Sequence, residues 1–285
     1  MQETSDTSIP LLVCGDRHCL DGLIILLISA SKQTKRPLRV FLMTGSFQTK
    51  RKQYQAFRPD QIAFAQSVLQ EHSPLSTLTC LDETKELNDG FASSSVYNSK
   101  FSPYALMRLF TDCHPEMGDR VLYLDLDVVV TGDLEQIYSS DLHGRSLGMV
   151  KDEVGSHWLG KNYCNSGVLL MDTAKIRENH GFEKTRDHLA HRFYFMPDQT
   201  AINRVFKGDI ALLSPRFNDQ HYLHPDTVVR HYCKWYRLKS GWRDVTAKPW
   251  NQARFEKIYG PKTHQEVLEE YRAKMAMFLK ESGSK

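Results

Sequence analysis

Along the chain, short apolar runs alternate with longer segments of helical periodicity. Residues 9–15 form an apolar run that ends in Gly15-Asp16 and predicts a first strand. The apolar segment 20–30 follows; it is too short to span a bilayer and predicts a buried helix. Leu38–Thr44 predicts a second strand, closed by Thr44-Gly45-Ser46. Residues 62–69 read as helix and 76–81 as a short strand. This β-α-β-α-β alternation predicts an α/β fold with a mainly parallel central sheet and helices on its faces. Residues 101–110 carry a helix start, with Ser102 as cap and Pro103 at the first position. Residues 121–130 predict one further strand, and 146–150 and 167–171 two more. Segments 182–193 and 198–206 read as helices. Residues 214–250 are rich in aromatics, His and Pro with little periodicity, which predicts loops folding over a site. Charged and apolar residues alternate at helical spacing over 263–280 and predict a terminal helix. With no internal repeat and no low-complexity linker, one domain is the economical organisation: a flexible 1–8, a domain over 9–262, and a C-terminal helix and tail over 263–285.

The run 121–130, Val-Leu-Tyr-Leu-Asp-Leu-Asp-Val-Val-Val, is the most informative stretch. It holds two carboxylates, Asp125 and Asp127, in apolar surroundings. Burying bare carboxylates inside a strand costs several kcal/mol each. The pair is therefore expected where the strand ends or bends open. Side chains in a strand alternate with a period of two, so both start from the same face and can share a cation. Two hard oxygen donors suit Mg²⁺ or Mn²⁺, ions that pair readily with a diphosphate. The other reading is a solvated pair that starts a turn, because Thr131-Gly132-Asp133 follows.

Composition changes this picture little. The 285 residues suffice for one large α/β domain, and 41% apolar with 25% charged residues is ordinary for a globular protein. A net charge of +3 gives no reason to expect a nucleic-acid partner. The N-terminal decapeptide is polar and unlike a signal peptide, and the six scattered cysteines show no disulfide framework. A cytoplasmic, reduced protein is the resulting expectation. Peripheral membrane contact is compatible with the basic and apolar residues of 263–280 and opposed by Glu266, Glu269 and Glu270.

Five separated segments then line up in order: Cys14-Gly-Asp-Arg-His18; the Leu-Asp-Leu-Asp motif; Asn165-Ser-Gly-Val-Leu-Leu-Met-Asp172; Pro197-Asp-Gln-Thr-Ala-Ile-Asn203; and His231-Tyr-Cys with Lys248-Pro-Trp250 downstream. Together they resemble glycosyltransferase family 8 over roughly residues 9–250. The resemblance implies the GT-A fold, a Rossmann-like domain that binds a nucleotide-sugar and Mn²⁺. It also implies transfer of a hexose, from UDP-glucose or UDP-galactose, to a carbohydrate, glycolipid or glycan acceptor with retention of anomeric configuration. In such a reaction negative charge accumulates on a departing diphosphate, and a metal on Asp125 and Asp127 neutralises it. His231 matches the family's third metal ligand, which favours Mn²⁺ over Mg²⁺.

The remaining site residues follow by position. Asp16 matches the family's base-binding Asp, and His18 stands where the family often has Asn. Cys19 replaces the aromatic that stacks on the base, which weakens the uridine assignment. Arg108 matches an Arg that touches the donor sugar and the first Asp of the motif. Asp152 matches an Asp near sugar and acceptor, Asn165 an Asn that binds a sugar hydroxyl, and Asp198 an Asp on donor hydroxyls. Gln199 lies on the β-face, where double displacement would need a nucleophile. An amide is a poor one, so front-side attack is expected rather than covalent catalysis. Lys248 resembles the diphosphate lysine; either the intervening residues 234–242 are an insertion and Lys248 keeps that role, or Lys234 or Lys239 has taken it. Trp235, Tyr236 and Trp242 offer an acceptor platform.

Blander roles compete. Asp16 and Asp198 are each suited to capping a helix, Asn165-Ser-Gly makes a turn into a strand, and Arg108 suits a surface ion pair. His221, His224, His231 and Cys233 carry zinc-like ligand types without paired C-x-x-C spacing. A nucleotidyltransferase would also use paired Asp residues, but Cys-Gly-Asp-Arg-His is not a Gly-rich basic loop. A silent GT-A-like binding or scaffolding protein is the third alternative.

Overall fold

The structure is a computed structural model that describes residues 7–49, 52–91, 94, 103–192, 194, 196–233, 236–237, 243–244 and 246–283. Strand β1 (Ile9–Cys14) is buried along its whole length, as a central strand covered on both faces must be. It runs through a short helical turn, Arg17–Cys19, into α1 (Leu20–Gln33). Strand β2 (Leu38–Thr44) pairs parallel to β1, with Ile9 opposite Leu38 and Cys14 opposite Met43. A small hairpin, β3 (Phe47–Gln48) and β4 (Gln53–Tyr54), precedes α2 (Pro59–His72). Then come β5 (Thr77–Asp82) and α3 (Thr84–Phe91). These elements are the predicted β-α-β-α-β unit.

The strand predicted over 121–130 is two strands. Strand β6 (Arg120–Leu124) joins the main sheet, and β7 (Val128–Val130) leaves it to pair antiparallel with β11 (Val229–His231). Asp125-Leu126-Asp127 is the break between them. With β8 (Leu147–Lys151), β9 (Cys164–Asp172) and β10 (Ile210–Leu212), the main sheet has seven strands in the order β10-β8-β9-β6-β1-β2-β5. Strand β9 alone runs against its neighbours; every other pairing in this sheet is parallel.

Period-two alternation divides the core. Leu11, Val13, Val40, Leu42, Leu122 and Leu124 face the layer of α1, α2 and the C-terminal helix Gln265–Gly283. Leu12, Phe41, Met43, Val121 and Tyr123 face the other layer, built from α3, the turn Arg108–Cys113 and the helices Gly181–His191 and Pro197–Val205. Three expectations need adjustment. Residues 101–110 give only a four-residue helix, Tyr104–Met107, that tightens into the 3-10 turn Arg108–Cys113; Ser102 lies outside the described residues. The helix read over 182–193 spans Gly181–His191, with Phe193 outside the described residues. Asn165-Ser-Gly is part of β9, not a turn. The pairing of β8 with β9 jumps from Met149↔Leu169 to Val150↔Asn165, so residues 166–168 form a bulge.

Candidate active site

The broken strand, the β9 bulge and β11 meet at one place. Asp125 and Asp127 flank Leu126, and the Asp125 N–H donates to the Gly167 carbonyl at 2.8 Å. His231, at the end of β11, is 2% exposed. Its Nε2 lies 3.0 Å from Asp127 Oδ1 and 3.7 Å from Asp125 Oδ2. One oxygen of each carboxylate and one ring nitrogen all fall within 4.8 Å of one another. This close approach requires Gly167: a Cβ there would sit 2.8 Å from His231 Nδ1 and 2.9 Å from Asp125 Oδ2.

Two cations balance the pair. Arg108, 2% exposed, reaches Asp125 Oδ1 at 3.2 Å and Asp198 Oδ2 at 3.5 Å, and its guanidinium sits 4.2 Å from the Tyr123 ring centroid. Burial pushes the Tyr123 phenol well above its ordinary range, so it remains a donor, and it donates to Asp125 Oδ1. Lys248 pairs with Asp127 Oδ2 and donates to the Tyr232 carbonyl at 2.7 Å. Burial opposes a charge on Asp127, but the Lys248 ammonium above all holds its carboxyl well below the ordinary carboxylate range.

The same centre draws in the other predicted residues. Asp152, at the end of β8, accepts on Oδ2 from Gln199 Nε2 at 3.0 Å and Asn165 Nδ2 at 3.2 Å, and on Oδ1 from the Gly155 N–H at 2.6 Å. Gln199 Oε1 accepts from the Ser166 N–H at 3.1 Å, and Asp198 Oδ2 accepts from Ser166 Oγ at 3.1 Å. Asp125, Asp127, His231, Arg108, Lys248, Asp198, Gln199, Asp152 and Asn165 thus form one connected network. Asp16 and His18 stand apart from it, at the end of β1. Asp16 is 2% exposed, and its Oδ1 accepts from the His18 N–H at 3.0 Å and Cys19 Sγ at 3.2 Å. It caps the turn Arg17–Cys19, and His18 is exposed. Tyr54 and Tyr104 lie near Asp16 and meet edge to face, with ring centroids 5.3 Å apart.

Some expectations dissolve. The zinc-like set disperses: His224 Nδ1 pairs with Asp219 at 2.6 Å and His221 Nε2 with Glu153 at 3.0 Å. Of that set, among the described residues, only His231 belongs to a possible metal cluster. Arg108 is a buried ligand of two carboxylates, not a surface pair. Lys234, Lys239, Trp235 and Trp242 lie outside the described residues, and Tyr236 opens a two-residue strand paired with Arg243–Asp244.

Three members escaped sequence reading. Tyr123 shares a strand face with Asp125 by the period of two, a usable signal. Ser166 was visible only as part of a turn. Asn218, 1% exposed, joins His231 Nδ1 and Asn165 Oδ1 at 2.9 Å each, and nothing in its aromatic-rich surroundings marks it.

The donor set fits a divalent cation. It offers two carboxylates and an imidazole, and Asp127 Oδ1 is a buried oxygen with no hydrogen-bond partner among the described residues. An orphaned buried oxygen at such a convergence is costly unless a cation satisfies it.

A family profile described as Glycosyl transferase family 8 matches residues 10–252. The chain belongs to glycosyl transferase family 8. Its curated relatives in the family include GlyF of Streptococcus pneumoniae serotype 4 (strain ATCC BAA-334 / TIGR4), a glycosyltransferase 31% identical over 193 residues, which is 62% of this chain and 44% of GlyF. The lipopolysaccharide 1,2-glucosyltransferase of Escherichia coli K12 is 33% identical over 112 residues, 35% of this chain and 33% of that one. The chain thus spans less than half the length of either relative. Among solved structures, the galactosyltransferase LgtC in complex with donor and acceptor sugar analogues superposes with a TM-score of 0.65 at 20% identity, covering 93% of this chain and 99% of LgtC. The expected GT-A fold is therefore the observed one. Among the described residues, no helix is long and apolar enough to cross a membrane.

Proposed function

We propose that the chain is a retaining hexosyltransferase that moves a sugar from a nucleotide-sugar, UDP-glucose or UDP-galactose by preference, to a carbohydrate acceptor hydroxyl. The observation that carries this is the convergence of Asp125, Asp127 and His231 around the orphaned Asp127 Oδ1. A divalent cation held by these three residues, Mn²⁺ or Mg²⁺, would neutralise the charge of the departing diphosphate.

The other side chains bind and orient. Lys248 balances Asp127 in the ligand-free chain, and its ammonium would complement the cation on the diphosphate as a point charge. Arg108 stays between Asp125 and Asp198, pairing with both and aiming Asp198 at donor hydroxyls. Asn165 and Asp152, bonded to each other, serve the sugar hydroxyls. Asp16 and His18 serve the base and ribose, and the half-buried Tyr54 supplies the ring surface that Cys19 lacks. Gln199 has no nucleophilic oxygen to give, since its Oε1 faces the Ser166 N–H. The Asp152 and Asp198 carboxylates are likewise engaged. These features favour front-side attack, the acceptor hydroxyl approaching on the face the diphosphate leaves.

Thermal stabilisation by a panel of UDP- and GDP-sugars, with and without Mn²⁺, tests the reading. One nucleotide-sugar is expected to raise Tm only with Mn²⁺, and to lose that effect in Asp127→Ala. An unchanged response in Asp127→Ala, or no response to any sugar nucleotide, overturns it in favour of a silent GT-A-like protein.

A further inference from the structure

His231 reaches the carboxylates through Nε2, so its usefulness as a ligand depends on which ring nitrogen carries the proton. The hydrogen bonds on its far side settle whether Nδ1 carries a proton. The Gly167 N–H can only donate, and it meets Asn165 at 2.9 Å, so the atom it meets is the carbonyl Oδ1. That places the Asn165 Nδ2 toward Asp152 Oδ2, an acceptor, at 3.2 Å. A flipped Asn165 would set donor against donor at one end and acceptor against acceptor at the other. Asn218 also meets Asn165 Oδ1 at 2.9 Å and must therefore do so with its Nδ2. Its own Oδ1 is then the atom 2.9 Å from His231 Nδ1, and an oxygen acceptor there requires a proton on Nδ1. In the neutral ring, the Nε2 lone pair is left facing Asp125 and Asp127.

We infer that the Asn165–Asn218 amide pair is a positioning device that fixes the Nδ1–H tautomer of His231 and so presents its Nε2 lone pair to a divalent cation. Neither amide needs to touch the cation; they act through the ring, as hydrogen-bond partners of metal-ligating histidines commonly do. The pair is built for this. Asn218 is 1% exposed and Asn165 6%, so water does not compete for their bonds. The orientation is anchored on a backbone N–H in the β9 bulge, which cannot reverse. The bulge thus does two things at once: Gly167 leaves room for the imidazole, and its amide sets the sense of the relay. The same logic ties the ring to the sugar-facing carboxylate, because Asp152 accepts from the other end of Asn165.

The inference rests on the metal-binding reading above, and the test separates the two. In ¹⁵N-histidine-labelled, metal-free full-length protein, His231 is expected to show the Nδ1–H tautomer; its signals are assigned by their loss in His231→Gln. In Asn218→Ala the Nε2–H form gains population, and Mn²⁺ affinity, followed by electron paramagnetic resonance of the free ion, falls about 10- to 100-fold. Asn218→Asp keeps an acceptor at Nδ1 with nearly the same shape. It is expected to retain the Nδ1–H form, although its second oxygen has no proton to give Asn165 Oδ1. An Asn218→Ala protein with the parental tautomer and Mn²⁺ affinity overturns the relay. So does an Asn218→Asp protein that is folded by its amide spectrum yet shows the Nε2–H form expected of Asn218→Ala. A parent protein that shows the Nδ1–H tautomer and binds no Mn²⁺ instead overturns the metal-binding reading, and with it the purpose assigned to the relay.

Discussion

At the scale of single residues, the site is governed by how little space and how few spare hydrogen bonds it has. Gly167 is the clearest case, because any side chain would enter the space of His231 and Asp125. Gly167→Ala is expected to fold, since bulges tolerate small residues, but to displace the ring. Mn²⁺ binding should weaken by about tenfold or more, measured by the same free-ion titration. Parental affinity in Gly167→Ala would mean that the ring is not held where the cation sits. The carboxylates were legible at this scale from two facts: their spacing and their apolar surroundings. Asn218 was not, because an amide's role comes from its partners, Asn165 and His231, which lie 53 and 13 positions away in the chain.

Among the elements, the C-terminal helix shows how the first layer is closed. Its Leu268, Tyr271 and Phe278 are buried against the layer of α1 and α2. The Phe278 ring stacks on Phe64 of α2 with centroids 4.5 Å apart, and the Tyr271 hydroxyl donates to Asp21 Oδ1 of α1 at 2.6 Å. Lys32 and His72, from α1 and α2, both meet Glu270 on this helix. Phe278→Ala should cost about 3–5 kcal/mol of stability in urea unfolding, through lost burial and the cavity it leaves. Mn²⁺ affinity of the folded protein should not change, because none of these contacts reaches the site. A cost below about 0.5 kcal/mol would show that the helix is loosely docked. Element existence was readable from apolar periodicity, and the two carboxylates marked where the strand over 121–130 would end or bend open. What was not readable is the partner of the second half: β7 leaves the main sheet to pair with β11.

For the molecule as a whole, part of the pH dependence of stability has an identifiable source outside the site. His114 bridges Glu83, which follows β5, at 2.7 Å and Glu116, which precedes β6, at 2.8 Å. The hydrogen bond to Glu83 raises its pKa from 6.5 to about 9, against the opposing effect of burial. A histidine whose pKa rises on folding binds more protons in the folded state. Its contribution is therefore complete below pH 6.5 and is lost as pH climbs through about 9. Tm is expected to decline across that window in the parent and to decline less in His114→Gln. Parallel profiles for the two proteins would remove this pair as the cause.

The sequence by itself determined the α/β alternation, the paired carboxylates and the order of motifs that resembles the family. Those properties are local: apolar periodicity fixes which segments are strands or helices, and spacing along a strand fixes which side chains share a face. Tertiary structure alone decided that β7 pairs with β11 outside the main sheet, that Asn165-Ser-Gly is a bulge and not a turn, and that His221 and His224 turn away from His231. It also decided which carboxylate each cation meets: Arg108 goes to Asp125 and Asp198, Lys248 to Asp127. Strand pairing and burial join residues far apart in sequence. Hydrogen-bond donors and acceptors, once buried, must then be matched in space, and no local pattern carries that information.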